Sequence, residues 1–383
     1  MIPYSILYVI LIPLICYVCN RSKEKWKQIP LLLMGVISAI RYDTTSDYYN
    51  YVMMFDRFGW GVLNEKNLLE FGYTNLNLLF QTWDDGFIGV FAVASILVYS
   101  SYYLFFKKCN VFVYGAFAFL SLGCVTNMDN IIRQAMAMAI FNFAIYFFFK
   151  KKYGHAMLLC FIATTFHNSA FICFLFLPLL NVFKKKLISF RKIVAIVIIL
   201  IGLYFVGLFQ VVSDVFFSLA IISDGLYESY QEIEFSKNAI GIGFLIRAFL
   251  CIIPSILLRN EKNKFKVLCY NFSWFSVILR IVFANVPFFY RIADYLTIFN
   301  VLALAFYLQY YSSMFKRKMV IPIICLCQLY LFNHVTTYFG YTSMYSTVFG
   351  EKCRNGLFYE RQTFEQIQAM GIDNERLFYF IGR

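Results

Sequence analysis

Apolar runs alternate with short polar stretches along almost the whole chain. They fall at about 2–19, 29–40, 86–106, 111–127, 131–149, 155–167, 169–183, 193–213, 239–258, 267–285, 292–311 and 319–337. Several match the roughly 20 residues that a spanning helix needs. The pattern predicts an all-α polytopic membrane protein of about 12 transmembrane or re-entrant helices, forming one membrane domain over residues 1–383.

Composition closes off the soluble alternative. With 61% hydrophobic and 14% charged residues among 383, and a mean hydropathy of +0.66, the chain cannot bury its apolar surface and still present a polar exterior. The net charge of +13 does not form one basic face. Lysine-rich clusters close the apolar runs instead, so nucleic acid is not an expected partner. The clusters are Arg21 to Lys27, Lys107 and Lys108, Lys150 to Lys152, Lys184 to Lys192, Arg259 to Lys266, and Lys316 to Lys318. Taken as cytoplasmic, they give a self-consistent path with both termini outside. The first run has its basic residues after it, the reverse of a secretory signal, and reads as a retained span. Cysteines lie mostly in apolar runs as small hydrophobes, and the Cys16–Cys19 spacing lacks a second pair, so neither a disulfide framework nor a zinc site is expected.

Three stretches escape the pattern and read as extracytoplasmic. Residues 41–85 include a possible interfacial amphipathic helix over 68–83, ended by Asp84, Asp85 and Gly86. Residues 214–238 carry five carboxylates among aromatics, which suit either sugar hydroxyls or plain solvent. The tail over 338–383 reads as a small cap or amphipathic helices.

The charges that topology leaves over are the ones expected to carry chemistry. Arg41, Arg57, Arg133, Arg247, Arg280 and Arg291 fall near the outer half of the membrane. Arg247 lies roughly 12 Å below the outer end of its run, at 1.5 Å per residue. An arginine at such depth costs about 2.5–3.5 kcal/mol on insertion scales, so it faces a polar cavity or a partner. Its planar fork fits phosphate oxygens bidentately, and a lipid diphosphate is the ligand expected there. The competing reading pairs Arg247 and Arg280 with internal carboxylates or lets them snorkel outward, although their own runs hold no acid.

His167 stands at the polar break His167-Asn168-Ser169 between two short apolar halves that leave and regain the lysine side. Such a hairpin barely spans or re-enters, which is tolerated where protein covers it or a wet cavity adjoins. A histidine at its tip can accept a proton near neutral pH, or simply be a hydrogen-bonded turn residue. His155 and His334 read as interface or core residues. The segment from Ile40 to Tyr51 is dense in hydroxyls, carboxylates and rings, a composition suited to carbohydrate.

Arg41, Thr45, Asp47 and Tyr48, then Glu70, Gly72 and Tyr73, then Arg133-Gln134 opening a run, His167-Asn168-Ser169-Ala170, and finally Arg291 and Tyr295 form an ordered set. In that order and placement the chain resembles the EpsG-type membrane proteins, which include Wzy-type O-antigen and capsule polymerases, over most of residues 30–300. The resemblance implies a GT-C-like helical glycosyltransferase in the bacterial inner membrane. It would join undecaprenyl-diphosphate-linked oligosaccharide units at the periplasmic face, with membrane lipid around it and a chain-length regulator as a possible partner. Arg41, Arg133, Arg247, Arg280 and Arg291 would hold diphosphate, and Arg133, with Arg247, Arg280 and Arg291, would also neutralise charge developing on the leaving group. His167, or else Asp43, Asp47 or Glu70, would accept the proton. Asp47, Tyr48, Tyr73, Gln134 and Tyr295 would contact glycan. With no Asp-x-Asp cluster in view, the expected enzyme uses neither metal nor other cofactor. A lipid-linked oligosaccharide flippase needs buried arginines too, and an O-antigen ligase is the nearest enzymatic rival.

Overall fold

The structure, a computed structural model, describes residues 2–3, 6–42, 45, 47–59, 70–83, 85–208, 241–257, 261–284, 291–314 and 344–347. Within them the chain is almost entirely helical. After a π-helical turn Ile6–Leu11 come α1 (Ile12–Asn20), α2 (Ile29–Ala39), α3 (Tyr48–Gly59), α4 (Phe71–Phe80) and α5 (Phe87–Cys109). Next are α6 (Phe112–Ser121), α7 (Cys124–Asn130), α8 (Ile132–Phe149), α9 (Tyr153–Phe166), α10 (Ile172–Phe183) and α11 (Phe190–Phe205). The last helices are α12 (Ile242–Leu257), α13 (Lys264–Val282) and α14 (Thr297–Met314). Short 3-10 turns, Asn168–Phe171 and Arg291–Leu296, precede α10 and α14.

Among the described residues four helical stretches are long and apolar enough to cross a membrane: Phe87–Cys109, Ile132–Phe149, Lys264–Val282 and Arg291–Ser312. The α6–α7 pair would be a fifth, bent by 64°. Shorter apolar helices, including α9 and the stretch Asn168–Phe183, fill in around them. The run expected as one span over 111–127 is therefore broken. Gly123 stops α6 in the left-handed region at φ 68°, which glycine adopts without a Cβ clash. Large apolar side chains such as Leu14, Val36, Ile96, Phe161, Leu175 and Ile198 face outward, the surface expected where lipid replaces water. Inside, α8 is buried on nearly every side, and Ala135, Ala137, Ala139 and Ala144 let its neighbours approach closely.

Two of the lysine clusters, those holding Lys108 and Lys150, share one end of this bundle. At that end Lys108 lies over the rings of Tyr146, Phe149 and Phe265, gathering the close of α5 and α8 with the start of α13. At the other end the start of α8 meets α4, the α9–α10 turn and the turn before α14. An aromatic cluster of Tyr48, Tyr51, Phe55, Tyr73, Phe87 and Phe91 fastens α3 and α4 over that second end. Its rings meet edge to face, Tyr48 with Phe91 at 5.1 Å and Tyr51 with Tyr73 at 6.2 Å between centroids. A Cβ on Gly72 would collide with Thr165, so glycine there is what lets α4 close onto α9.

Two features are not expected from the sequence, an extra helix and a small sheet. Helix α3 occupies part of the 41–85 segment for which only the 68–83 helix is expected, while α4 falls inside that range. A small antiparallel sheet, absent from the sequence reading, joins β1 (Ile2–Pro3), β2 (Arg41–Tyr42) and β3 (Met344–Thr347) in the order β1-β3-β2. Ile2 stands opposite Tyr345, and Arg41 opposite Thr347. The span expected at 319–337, the 214–238 loop, His334, and the tail apart from 344–347 lie outside the described residues.

Candidate functional site

Five segments distant in sequence meet at the lysine-poor end. The first turn of α8 brings Arg133 and Gln134, and the residue before α4 is Glu70. The α9–α10 turn brings His167, Asn168 and Ser169; the 3-10 turn before α14 brings Arg291 and Tyr295; Asp47 precedes α3. Arg133 donates through Nη1 to Oε2 of Glu70 at 2.7 Å, and the Asn168 backbone N–H also supports that carboxylate. Asp47 and Asn130 bond reciprocally. The Asp47 N–H donates to Asn130 Oδ1, and Asn130 Nδ2 donates to Asp47 Oδ2, both at 3.1 Å. Gln134 Nε2 donates to the Arg291 carbonyl at 2.9 Å, which ties α8 to the last turn.

His167 is held by its own turn. Its Nδ1 accepts the Ser169 backbone N–H at 3.2 Å, while Ser169 Oγ stands 2.6 Å from the same nitrogen and 3.0 Å from the Tyr295 hydroxyl. Burial, with Arg133 and Arg291 adding to it, pushes the imidazole down to about 3, so the ring is neutral at pH 7. Burial also raises the carboxyls of Asp47 and Glu70 above their ordinary range; Arg291 and Arg133 pull Asp47 partly back, and Arg133 does so for Glu70. The Arg133 Nε and the Gln134 Oε1 are sealed from solvent without a hydrogen-bond partner among the described residues, an arrangement that calls for a polar ligand or a rearrangement. Arg291 is exposed, and none of the described carboxylates forms an ion pair with it.

The structure does not gather the other arginines into this group. Arg41 is buried and paired with Asp129 at 3.4 Å; it also donates to the Asp129 carbonyl at 3.2 Å and lies over the Phe91 ring. Arg280 is paired with Asp294 in a buried contact. Each of these two guanidiniums is buried with an internal carboxylate and stands apart from the group around Arg133. Arg247 is half-buried elsewhere, with Nη2 3.3 Å from the position a Cβ on Gly123 would take, at the α6–α7 break. Tyr48 and Tyr73 are core members of the aromatic cluster, buried and edge-packed. Gln134 and Tyr295 are in the group but buried. Asp43 and the Arg57 side chain lie outside the described residues. His155 stacks on Phe147 near the lysine end, as an interface residue would.

Sequence reasoning missed Asn130, Asp129, Asp294 and the role of Ser169. For Ser169 a signal was present: a serine two residues after a turn histidine is placed to bond back to it. Among the described residues no three His, Cys, Asp or Glu side chains stand together as metal ligands.

The model of the EpsG family matches residues 25–347, a stretch that contains every member of the group just described. The chain belongs to the EpsG family. No curated protein and no solved structure matches it. Family membership and the outward-facing apolar helices together make it a membrane protein of the polysaccharide-related kind, with Arg133, Glu70, His167 and Arg291 inside the region that defines an EpsG protein.

Proposed function

We propose that this EpsG protein is a polysaccharide polymerase, a glycosyltransferase that joins undecaprenyl-diphosphate-linked oligosaccharide units at the outer face of the bacterial cytoplasmic membrane. The observation that carries the reading is the meeting of Arg133 and Arg291 with the buried carboxylate of Glu70, the half-buried one of Asp47 and a neutral histidine at the lysine-poor end of the bundle. The positive-inside rule assigns that end to the outside.

In the proposed reaction the glycosidic C1–O bond to the donor's diphosphate breaks and a new bond forms from C1 to an acceptor hydroxyl. The departing lipid diphosphate gains negative charge, and Arg133 and Arg291 stabilise it with preformed donors. The hydroxyl proton passes to a carboxylate, Glu70 or Asp47, whose raised affinity for protons suits a base working nearer neutrality. Glu70 also holds Arg133 in place before substrate arrives.

Purified protein in lipid nanodiscs, given undecaprenyl-diphosphate-linked repeat units, tests this. Glycan ladders with stoichiometric release of undecaprenyl diphosphate support polymerisation. Leaflet exchange in vesicles without ladders would make it a flippase, and single transfer of a finished glycan to another acceptor would make it a ligase.

A further inference from the structure

The Ser169 amide N–H is a donor that never becomes an acceptor, and it meets the Nδ1 of His167. That nitrogen must therefore present its lone pair. A proton on Nδ1, in the other tautomer or in the cation, would set two donors face to face. The hydroxyls complete the same polarity: Tyr295 O–H can donate to Ser169 Oγ, and Ser169 O–H to Nδ1, with separations of 3.0 and 2.6 Å. The ring's other edge is different. Nε2 has no hydrogen bond to any described residue, and it is not among the side-chain atoms sealed from solvent without a partner.

We propose that Ser169 and Tyr295 are positioning residues that lock His167 as the Nε2–H tautomer, and that this ring serves as a neutral hydrogen-bond donor to phosphate oxygen rather than as the base. The assignment rests on the polymerase reading for its ligand, but not for the tautomer. A neutral donor fits beside Arg133 and Arg291 without adding a third positive charge to repel them, and it strengthens as charge develops on the departing diphosphate. The burial of the ring and the two nearby guanidiniums favour the uncharged form independently. The proton of the acceptor hydroxyl then has to go to a carboxylate.

Histidine-labelled protein in lipid, studied by 15N solid-state NMR at pH 7, tests the tautomer without substrate. The chain has three histidines, so His167 is identified by the signal lost in His167→Gln. The expected spectrum shows its Nε2 protonated and Nδ1 bare, with farnesyl diphosphate as the probe shifting Nε2. Nδ1 protonation, a cationic ring, or an Nε2 signal unmoved at saturating probe overturns the proposal. Ser169→Ala with Tyr295→Phe should let the second tautomer appear; a spectrum that keeps one tautomer would refute their positioning role.

Kinetics separate donor from base. A glutamine amide places an N–H close to where Nε2–H was, whereas asparagine reaches only the Nδ1 position. His167→Gln should keep ladder synthesis within about 10-fold of wild type, while His167→Asn and His167→Ala lose about 100-fold, the usual effect of deleting one transition-state donor. Glutamine as damaging as alanine, in protein that stays monodisperse, would make the ring a base. Wild-type protein that makes no ladders would instead sink the polymerase reading, and the NMR result would still decide the tautomer.

Discussion

Arg133 and Glu70, 63 residues apart, form a 2.7 Å ion pair in which the arginine is one-third exposed and the glutamate is 10% exposed. The arginine is therefore the member of the pair more open to a ligand. In this it differs from Arg41–Asp129 and Arg280–Asp294, whose arginines are 2% and 7% exposed.

Arg133→Lys should lower ladder synthesis by about 100-fold, since a point charge replaces a fork of donors at the site of developing charge. Single-turnover rates measure it, with size-exclusion profiles showing intact protein. Glu70→Gln should fall comparably, and the double variant should lose much less than the product of the two, because the residues work as one unit.

Acidification should inactivate the enzyme through the carboxylates. The working forms of Asp47 and Glu70 are ionised, and burial raises both above ordinary values, so protonation sets in at a higher pH than for a free side chain. The acid limb of the rate profile should lie above about pH 4.3, the reference value for glutamate. Replacing Glu70 by Gln or His167 by Gln tells the groups apart: a limb that vanishes only in the histidine variant contradicts the assignment.

Asp129→Asn should act on stability instead. Removing one member of a buried ion pair strands the Arg41 charge and costs about 3–5 kcal/mol. Thermal unfolding should shift markedly downward while the rate per folded molecule holds. A wild-type melting curve combined with lost catalysis would place Arg41 in the site after all.

Gly123→Ala forces an L residue into the left-handed region, at about 1–2 kcal/mol, and pushes a methyl to 3.3 Å from Arg247 Nη2. Gly202→Ala in α11 meets nothing within 4 Å and should be neutral or stabilising by up to about 1 kcal/mol. Paired unfolding curves of the two variants check the contrast.

Ladder synthesis should persist in EDTA, with the guanidiniums of Arg133 and Arg291 meeting the diphosphate charge. Loss in chelator, restored by magnesium or manganese, would require a cation in the reaction.

Much of the architecture was written in local sequence. The runs at 86–106 and 131–149 became Phe87–Cys109 and Ile132–Phe149, because in lipid an apolar stretch of that length has little choice but helix. The polar break at His167 was visible as a histidine, an asparagine and a serine between two apolar halves. What stayed hidden was pairing at a distance. Asp129 lies 88 residues from Arg41, and Asp294 lies across a turn from Arg280, so an acid-free helix gave no sign of its arginine's partner. The strands were two to four residues long and carried no alternation to read.

Those strands bear on how the chain is made. Residues 344–347 sit between Ile2–Pro3 and Arg41–Tyr42, so β1 and β2 wait for a strand synthesised some 300 positions later. The clasp can shut only once translation has passed β3, so its closure follows synthesis of all the helices between its strands.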